Sequence, residues 1–288
     1  MAVVNTNVGA SVAQAALAKN SRELTSAMEQ LSTGRKINSA GDNASGLAIT
    51  NRMTSQINGL GAAIRNANDA ISMINTAEGA LDEITDMLQR MRELAVQAGT
   101  GTTTSSDRTY LQAEFTALRS EIDRIAENTE WNGNKILNDT ADGTASDGSI
   151  VTYQVGVDGG DTMTVDFGNF SNTTSGTFTA LATATIAGAG LATGMANASA
   201  SITSLDTAIE NVSNQRATFG AASNRLTHAV DNLTNVKVNA EASRSRILDT
   251  DYAESTAELA RTQIIQQAGT AMLAQANQLP QTVLALLQ

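Results

Sequence analysis

The chain has 288 residues, of which 41% are hydrophobic and only 3% aromatic, so any core must be built from Leu, Ile, Val, Met and Ala. It has a formal net charge of −11, no Cys and a single His, His228. These counts exclude disulfides and thiolate metal sites and a two-imidazole zinc site; the acidity argues against nucleic acid, whose phosphates call for clustered Lys and Arg.

The N-terminal stretch lacks a basic start, and Asn, Thr and Gln interrupt its apolar residues, so no cleaved secretory signal is expected. No run of about twenty apolar residues exists, and no membrane insertion is expected. The single Pro, Pro280, leaves long helices uninterrupted. Leu17, Leu24, Met28 and Leu31 form one apolar stripe and predict a first helix, which Thr33 and Gly34 end.

A second helix is predicted from Ala44 to Ala98, roughly 80 Å long at 1.5 Å per residue. Its stripe runs through Ile57, Leu60, Ile64, Ala67, Ile71 and Ile74, then Ala77, Leu81, Ile84, Leu88, Met91 and Ala95. The repeated step of three at Ile74 to Ala77 predicts a local overwinding of a coiled coil. So long a helix points to an elongated rod. Gly99 and Gly101 break it. A third helix, with Leu111, Phe115, Leu118, Ile122 and Ile125, is predicted to fold back on it.

From Trp131 the pattern changes. Asn132-Gly133 predicts a tight turn, and 152–157 with 162–167 predict a β-hairpin across Asp158-Gly159-Gly160-Asp161. The Ser/Thr/Gly/Ala-rich stretch 171–199 reads as surface loop. A fourth helix then carries Ile202, Leu205, Ile209, Val212, Phe219, Leu226, Val230 and Leu233, with Arg216 and Ser223 as polar seam positions. A last helix begins near Asp249-Thr250 and carries Leu259, Ile264, Ile265, Met272 and Leu273. Its tail, Leu279, Val283, Leu284 and Leu287, either packs on its own rod or, the preferred reading, is covered by another chain. The first and last helices are expected to pair, and the middle three to pair with one another.

Several motifs, in this order, resemble those of bacterial flagellins: Leu31-Ser32-Thr33-Gly34 through Ala40; Ala44-Ser45-Gly46-Leu47-Ala48-Ile49; Arg65-Asn66-Ala67-Asn68-Asp69-Ala70; Gln89-Arg90-Met91-Arg92-Glu93-Leu94; Glu130-Trp131-Asn132-Gly133; Ser245-Arg246-Ile247; and Leu273-Ala274-Gln275-Ala276-Asn277-Gln278. The resemblance implies a mainly α protein with a small β-hairpin region. The terminal segments 1–43 and 249–288 would form an inner coiled coil, 44–138 with 199–248 a helical rod, and 139–198 a hairpin and surface loop without a large outer domain. It also implies a structural subunit, not an enzyme and without cofactors, that polymerises with itself into the extracellular flagellar filament. Export would occur unfolded through the flagellar type III apparatus with a dedicated chaperone. Hook-associated and cap proteins and the host flagellin receptor are further implied partners. Gln89, Arg90, Leu94 and Glu114 match positions for receptor binding or contacts between subunits; Leu273, Leu279, Val283, Leu284 and Leu287 are the candidate polymerisation tail.

Other features have plainer readings. Asp158 and Asp161 lack the ligand set of a calcium loop and read as a turn. His228 and the carboxylates Asp206 and Glu210, one helical turn apart, read as solvated helix surface. Ser171, Thr173, Thr174 and Ser175 are candidate O-glycosylation positions by the resemblance.

Overall fold

The computed structural model of the chain describes residues 7–138, 150–171, 177–188 and 190–285, with side chains described as far as residue 278. It is mainly α. The chain divides into two compact units, Met1–Ile57 with Val238–Gln288, and Asn58–Lys237.

In the first unit, helix α1 (Val8–Thr33) starts where the Asn7 side chain accepts the Ala10 N–H. It ends as the sequence predicts, at Gly34 in the left-handed conformation (φ 70°), whose N–H donates to the Gln30 carbonyl. A side chain here would be strained and would meet the Tyr252 hydroxyl at 3.1 Å. Helix α6 (Tyr252–Ala285) runs antiparallel to α1: Asn7 Nδ2 donates to the Ala276 carbonyl and Asn20 Nδ2 to the Thr262 carbonyl, each at 2.8 Å. The segments that follow α1 and precede α6 are also bonded to each other. Lys36 N donates to the Leu248 carbonyl at 2.7 Å, Thr250 N donates to the Gly34 carbonyl at 3.1 Å, and Arg35 bridges Asp249.

Helix α2 (Ala40–Ala98) contains one non-helical residue, Asn43 (φ −164°, ψ 97°). Its side-chain oxygen accepts the Gly46 N–H at 2.8 Å, so Asn43 caps a continuous helix from Ala44, the predicted start. Asp42 accepts the backbone N–H groups of Ser39 and Asn38, which hold its carboxyl below its ordinary value.

In the second unit, α2 packs with α3 (Ser105–Asn128) and α5 (Leu191–Leu248) in one apolar cluster. On α2 one buried stripe is Leu60, Ala63, Ala67, Ala70, Ile74, Ala77, Leu81, Ile84, Leu88, Met91, Ala95 and Ala98, with Met73 and Leu94 buried beside it. The steps of the stripe alternate three and four, and the repeated step of three at Ile74 to Ala77 does not occur in it. Ile64 and Ile71, expected in the seam, are only half-buried, and Ala63 and Ala70 take their places. The same rotation occurs on α5. Ser201 and Ala208 are buried, whereas Ile202 and Ile209 lie partly buried beside them. Small side chains at the seam let helices approach closely, and the longer branched residues then cover the joint from its edge.

Helix α3 opens with a capping box: Thr104 Oγ1 accepts the Asp107 N–H while Asp107 accepts the Thr104 N–H. Strands β1 (Glu130–Trp131) and β2 (Asn134–Lys135) flank the predicted turn, with Asn132 and Gly133 at φ 51° and 81°. The hairpin is β3 (Ile150–Gln154) against β4 (Thr162–Asp166), antiparallel with Tyr153 opposite Met163 and Val151 opposite Val165; the first strand lies earlier than the expected 152–157, and 155–157 belong to the connection. It is fastened to both long helices. Asn66 Nδ2 donates to the Gln154 carbonyl at 3.1 Å, Tyr153 donates to the Met73 sulfur at 2.8 Å, and Gln215 Nε2 donates to the Asp166 carbonyl at 2.6 Å. Burial pushes the Tyr153 phenol up to about 12, so it remains a donor. The Phe167 and Phe219 rings meet at 5.4 Å.

The expected surface loop over 171–199 is corrected in part. Residues 191–199 are the first turns of α5, and Thr179–Ala182 form a short helix, α4. Phe178, Leu181 and Ile186 are buried. Side chains of α3 hold this segment by its backbone: Gln112 Oε1 accepts the Ile186 and Ala187 N–H groups at 2.6 and 3.2 Å, and Arg119 donates to the Ala182 carbonyl at 2.8 Å.

Two outcomes test this account. Phe219→Ala is expected to lower stability to urea unfolding by about 3–5 kcal/mol, the usual range for an emptied aromatic core position, while Ile202→Ala costs clearly less. The Asp42 and Asp107 carboxyls are lowered by the hydrogen bonds they accept, so their contribution is complete above the ordinary value of 3.8 and is lost as pH falls through the lowered folded values. Hydrogen exchange during acid titration is therefore expected to quicken at 105–108 before it quickens in the α2 seam.

Candidate functional site

Among the described residues, two surfaces stand out. The first lies on α2 and α3. Arg90, on the α2 face turned away from the seam, reaches across to α3. Its Nε and Nη2 meet Glu114 Oε1 at 3.0 and 2.9 Å, and its Nη1 meets Glu93 at 2.9 Å. These partners, Glu93 first, raise the guanidinium above its ordinary value. Gln89 is exposed beside it. Leu94 is placed differently from expectation: it is only 1% exposed and belongs to the core cluster. It therefore holds the helix under Arg90 and presents no apolar anchor. The exposed apolar residue here is Val96, which with Gln89, Arg92, Glu93, Gln97 and Thr100 lines a shallow groove. Val96 was missed because it falls outside the heptad stripe, and exposure is not encoded in spacing. Arg92 is held by Asp206 of α5 at 2.6 Å, so Asp206 is an ion-pair partner and not a free carboxylate.

The second surface is on the α1/α6 pair. Val12, Ile264 and Met272 are 64%, 66% and 65% exposed, and Val8, Met28 and Ile265 are exposed as well. Leu273 of the candidate tail is half-buried in the pair. Leu279, Val283 and Leu284 lie in α6 with side chains outside the described residues, and Leu287 lies outside them altogether.

The remaining features are local. Asp158 and Asp161 are exposed in the hairpin turn, where Asp161 N donates to the Asp158 carbonyl at 3.2 Å. His228 and Glu210 are exposed on α5. Ser171 is fully buried, which removes it as a surface glycosylation position; Thr173, Thr174 and Ser175 lie outside the described residues. One structural residue gave no spacing signal. Arg108, 0% exposed, donates from Nε to the Ala98 carbonyl at 2.8 Å and from Nη2 to the Thr100 carbonyl at 3.1 Å. It caps the carbonyl end of α2 with a cation, the favourable sign there. Gly194 makes room for it, since a Cβ would lie 2.9 Å from Arg108 Cδ.

Comparison with known proteins agrees along the whole chain. The family model of the bacterial flagellin N-terminal helical region matches residues 4–142, and that of the bacterial flagellin C-terminal helical region matches residues 202–287. A flagellin of Halalkalibacterium halodurans is 44% identical over 286 residues, covering 99% of this chain and 100% of that protein. Flagellin A of Vibrio cholerae is 36% identical over 376 aligned residues, covering 99% of each. Among solved structures, a Bacillus cereus flagellin is 38% identical with a TM-score of 0.48, over 59% of this chain and 88% of that one. A protein described as a flagellar hook-associated protein of Vibrio parahaemolyticus has a TM-score of 0.58 at 15% identity, over 72% of this chain and 100% of that one; that likeness is one of fold.

The different placements of Arg90 and Leu94 predict different variants. Arg90→Ala is expected to leave urea and thermal unfolding close to the parent, because exposed ion pairs contribute little. Leu94→Ala is expected to cost about 2–5 kcal/mol of stability. A Leu94→Ala variant as stable as the parent would show that this side chain is not part of the core.

Proposed function

The chain belongs to the bacterial flagellin family and is a structural subunit of the flagellar filament, outside the cell; from that premise we propose how its surfaces serve assembly. The observation that carries the proposal is the exposed apolar set on α1 and α6: Val8, Val12, Ile264, Ile265 and Met272. Fully burying a side chain of this size contributes about 1.5–3 kcal/mol. Copies of the chain stacked head to tail cover these residues through a heterologous contact, which propagates as an open helix. Association and the final ordering of the termini are thereby coupled. In this reading the segments 1–43 and 249–288 line the filament core, 44–138 with 199–248 form the next helical layer, and 139–198 faces outward. Leu273, Leu279, Val283, Leu284 and Leu287 extend the apolar contact at the chain end.

The family also supports finer readings. The chain leaves the cell unfolded through the flagellar type III export apparatus, with a chaperone on its C-terminal segment. Hook-associated and cap proteins contact it at the filament ends. Gln89, Arg90 and Glu114, with Leu94 supporting them from beneath, meet neighbouring subunits or the host flagellin receptor. Arg90 suits either role, because its planar fork of donors can exchange one pair of carboxylates for another.

Seeded polymerisation tests the assembly reading. Purified chain added to short filament fragments at neutral pH is expected to give long uniform filaments by negative-stain electron microscopy. Removing 277–288 is expected to abolish growth while the unit 58–237 keeps its cooperative thermal unfolding. The triple change Val12→Ser, Ile264→Ser and Met272→Ser is expected to slow growth at least tenfold. Growth at the parent rate by both variants would remove the terminal pair from the assembly contact.

A further inference from the structure

The α1/α6 pair has the spacing of a coiled coil but little of its usual content. On α1 the seam is Ala10, Ala13, Leu17, Asn20, Leu24, Ala27 and Leu31; on α6 it is Ser255, Leu259, Thr262, Gln266, Gly269, Leu273 and Ala276, all buried or half-buried. The steps alternate three and four throughout. The large α1 residues Leu17, Leu24 and Leu31 repeat every seven positions, so sliding α1 by one heptad lays each leucine where its neighbour had been. The facing seam is largely small or polar and penalises such a slide weakly. Apolar burial therefore leaves the register of this pair open.

Two features break the repeat. Asn20 is the one amide in the α1 seam and is 4% exposed, with Nδ2 donating to the Thr262 carbonyl at 2.8 Å. Thr262, itself buried, turns its hydroxyl back on Glu258 and Leu259 of its own helix, leaving its carbonyl to face Asn20. Among the described residues, Asn20 Oδ1 has no hydrogen-bond partner, so the amide is held here at a cost in stability. The second feature is a hole. A Cβ on Gly269 would lie 2.7 Å from Leu17 Cδ1. After a slide, Leu17 would meet Thr262 or Ala276, which carry that Cβ.

We propose that Asn20, aided by Gly269, sets the register of α1 on α6, trading stability for a single pairing. A buried amide at a seam position is a known means of doing so. The register decides which exposed residues of α1 lie beside which of α6, hence whether Val12 and Met272 form one continuous apolar surface in every copy. Asn20 is thus a specificity-determining residue for assembly; the proposal rests on the assembly reading.

The chain has no Cys, so a pair of spin labels can be placed without background, at Ser11→Cys and Thr256→Cys, both exposed positions. These sites are offset along the helix axis, and one heptad of slip moves them by about 10 Å. Labelled chain is diluted into excess unlabelled parent, assembled on seeds, pelleted, and measured by pulsed electron–electron resonance. The parent is expected to show one distance. Asn20→Leu and Asn20→Ala are expected to show a second population displaced by about 10 Å, with unchanged far-UV helicity, while Asn20→Gln retains more of the parent distance than Asn20→Ala. An unchanged single distance in both Asn20→Leu and Asn20→Ala overturns the proposal. Exclusion of both from the pellet also overturns it, since the amide would then be needed for pairing itself rather than for its register. Failure of the parent chain to assemble is visible in the pellet beforehand, and counts against the assembly reading instead.

Discussion

The unit 58–237 depends on an unbroken alternation of buried residues along α2, from Leu60 to Ala98. At this spacing one face of the helix stays turned toward its neighbours over its whole length. Alanine at 63, 67, 70 and 77 lets the neighbours approach, and Ile74, Leu81, Ile84, Leu88 and Met91 supply the apolar area. Everything else in the unit is hung on this seam. The β-hairpin is tied to it at Asn66 and Met73. The ion pairs of Arg216 with Asp82 and of Arg92 with Asp206 connect α2 to α5; being exposed, they orient more than they stabilise.

The unit formed by the two chain ends uses the same spacing for a different purpose. Its seam combines five leucines, Leu17, Leu24, Leu31, Leu259 and Leu273, with Ala, Ser, Thr, Gln, Asn and Gly, while Val, Ile and Met point outward. A pair built this way gains little from its own closure and much from being covered. That distribution suits the proposed assembly, in which neighbouring copies cover the terminal helices. The two units differ in where their apolar residues lie: the unit 58–237 buries its large cluster within the chain, whereas α1 and α6 leave Val8, Val12, Ile264, Ile265 and Met272 exposed.

Much of the architecture was legible in the residues. The long helices, their ends at Gly34 and Ala98, the Asn132-Gly133 turn and the two hairpin strands follow from periodicity and from residues whose backbone preferences are local. The misplacements along the seam share one cause. Ile64, Ile71, Ile202 and Ile209 were assigned to the seam because they are large, yet Ala63, Ala70, Ser201 and Ala208 occupy it. Residue size does not report how closely two helices approach. Leu94 lies one residue off the alternating stripe, beside Ala95, and is nevertheless buried in the core and not at the recognition surface. The segment 178–187 looked like loop because its order comes from Gln112 and Arg119, about seventy residues earlier in the chain.

The sequence by itself determined the long helices, the presence of a hairpin and the family, since these depend on composition, local preference and ordered motifs. Only the tertiary structure decided which face of each helix is buried, that Arg108 closes the end of α2, that Arg90 holds Glu93 and Glu114, and that Asn20 faces Thr262. Each of these is a meeting of groups distant in the chain or of one face with another, and its energy exists only when both partners are brought within contact.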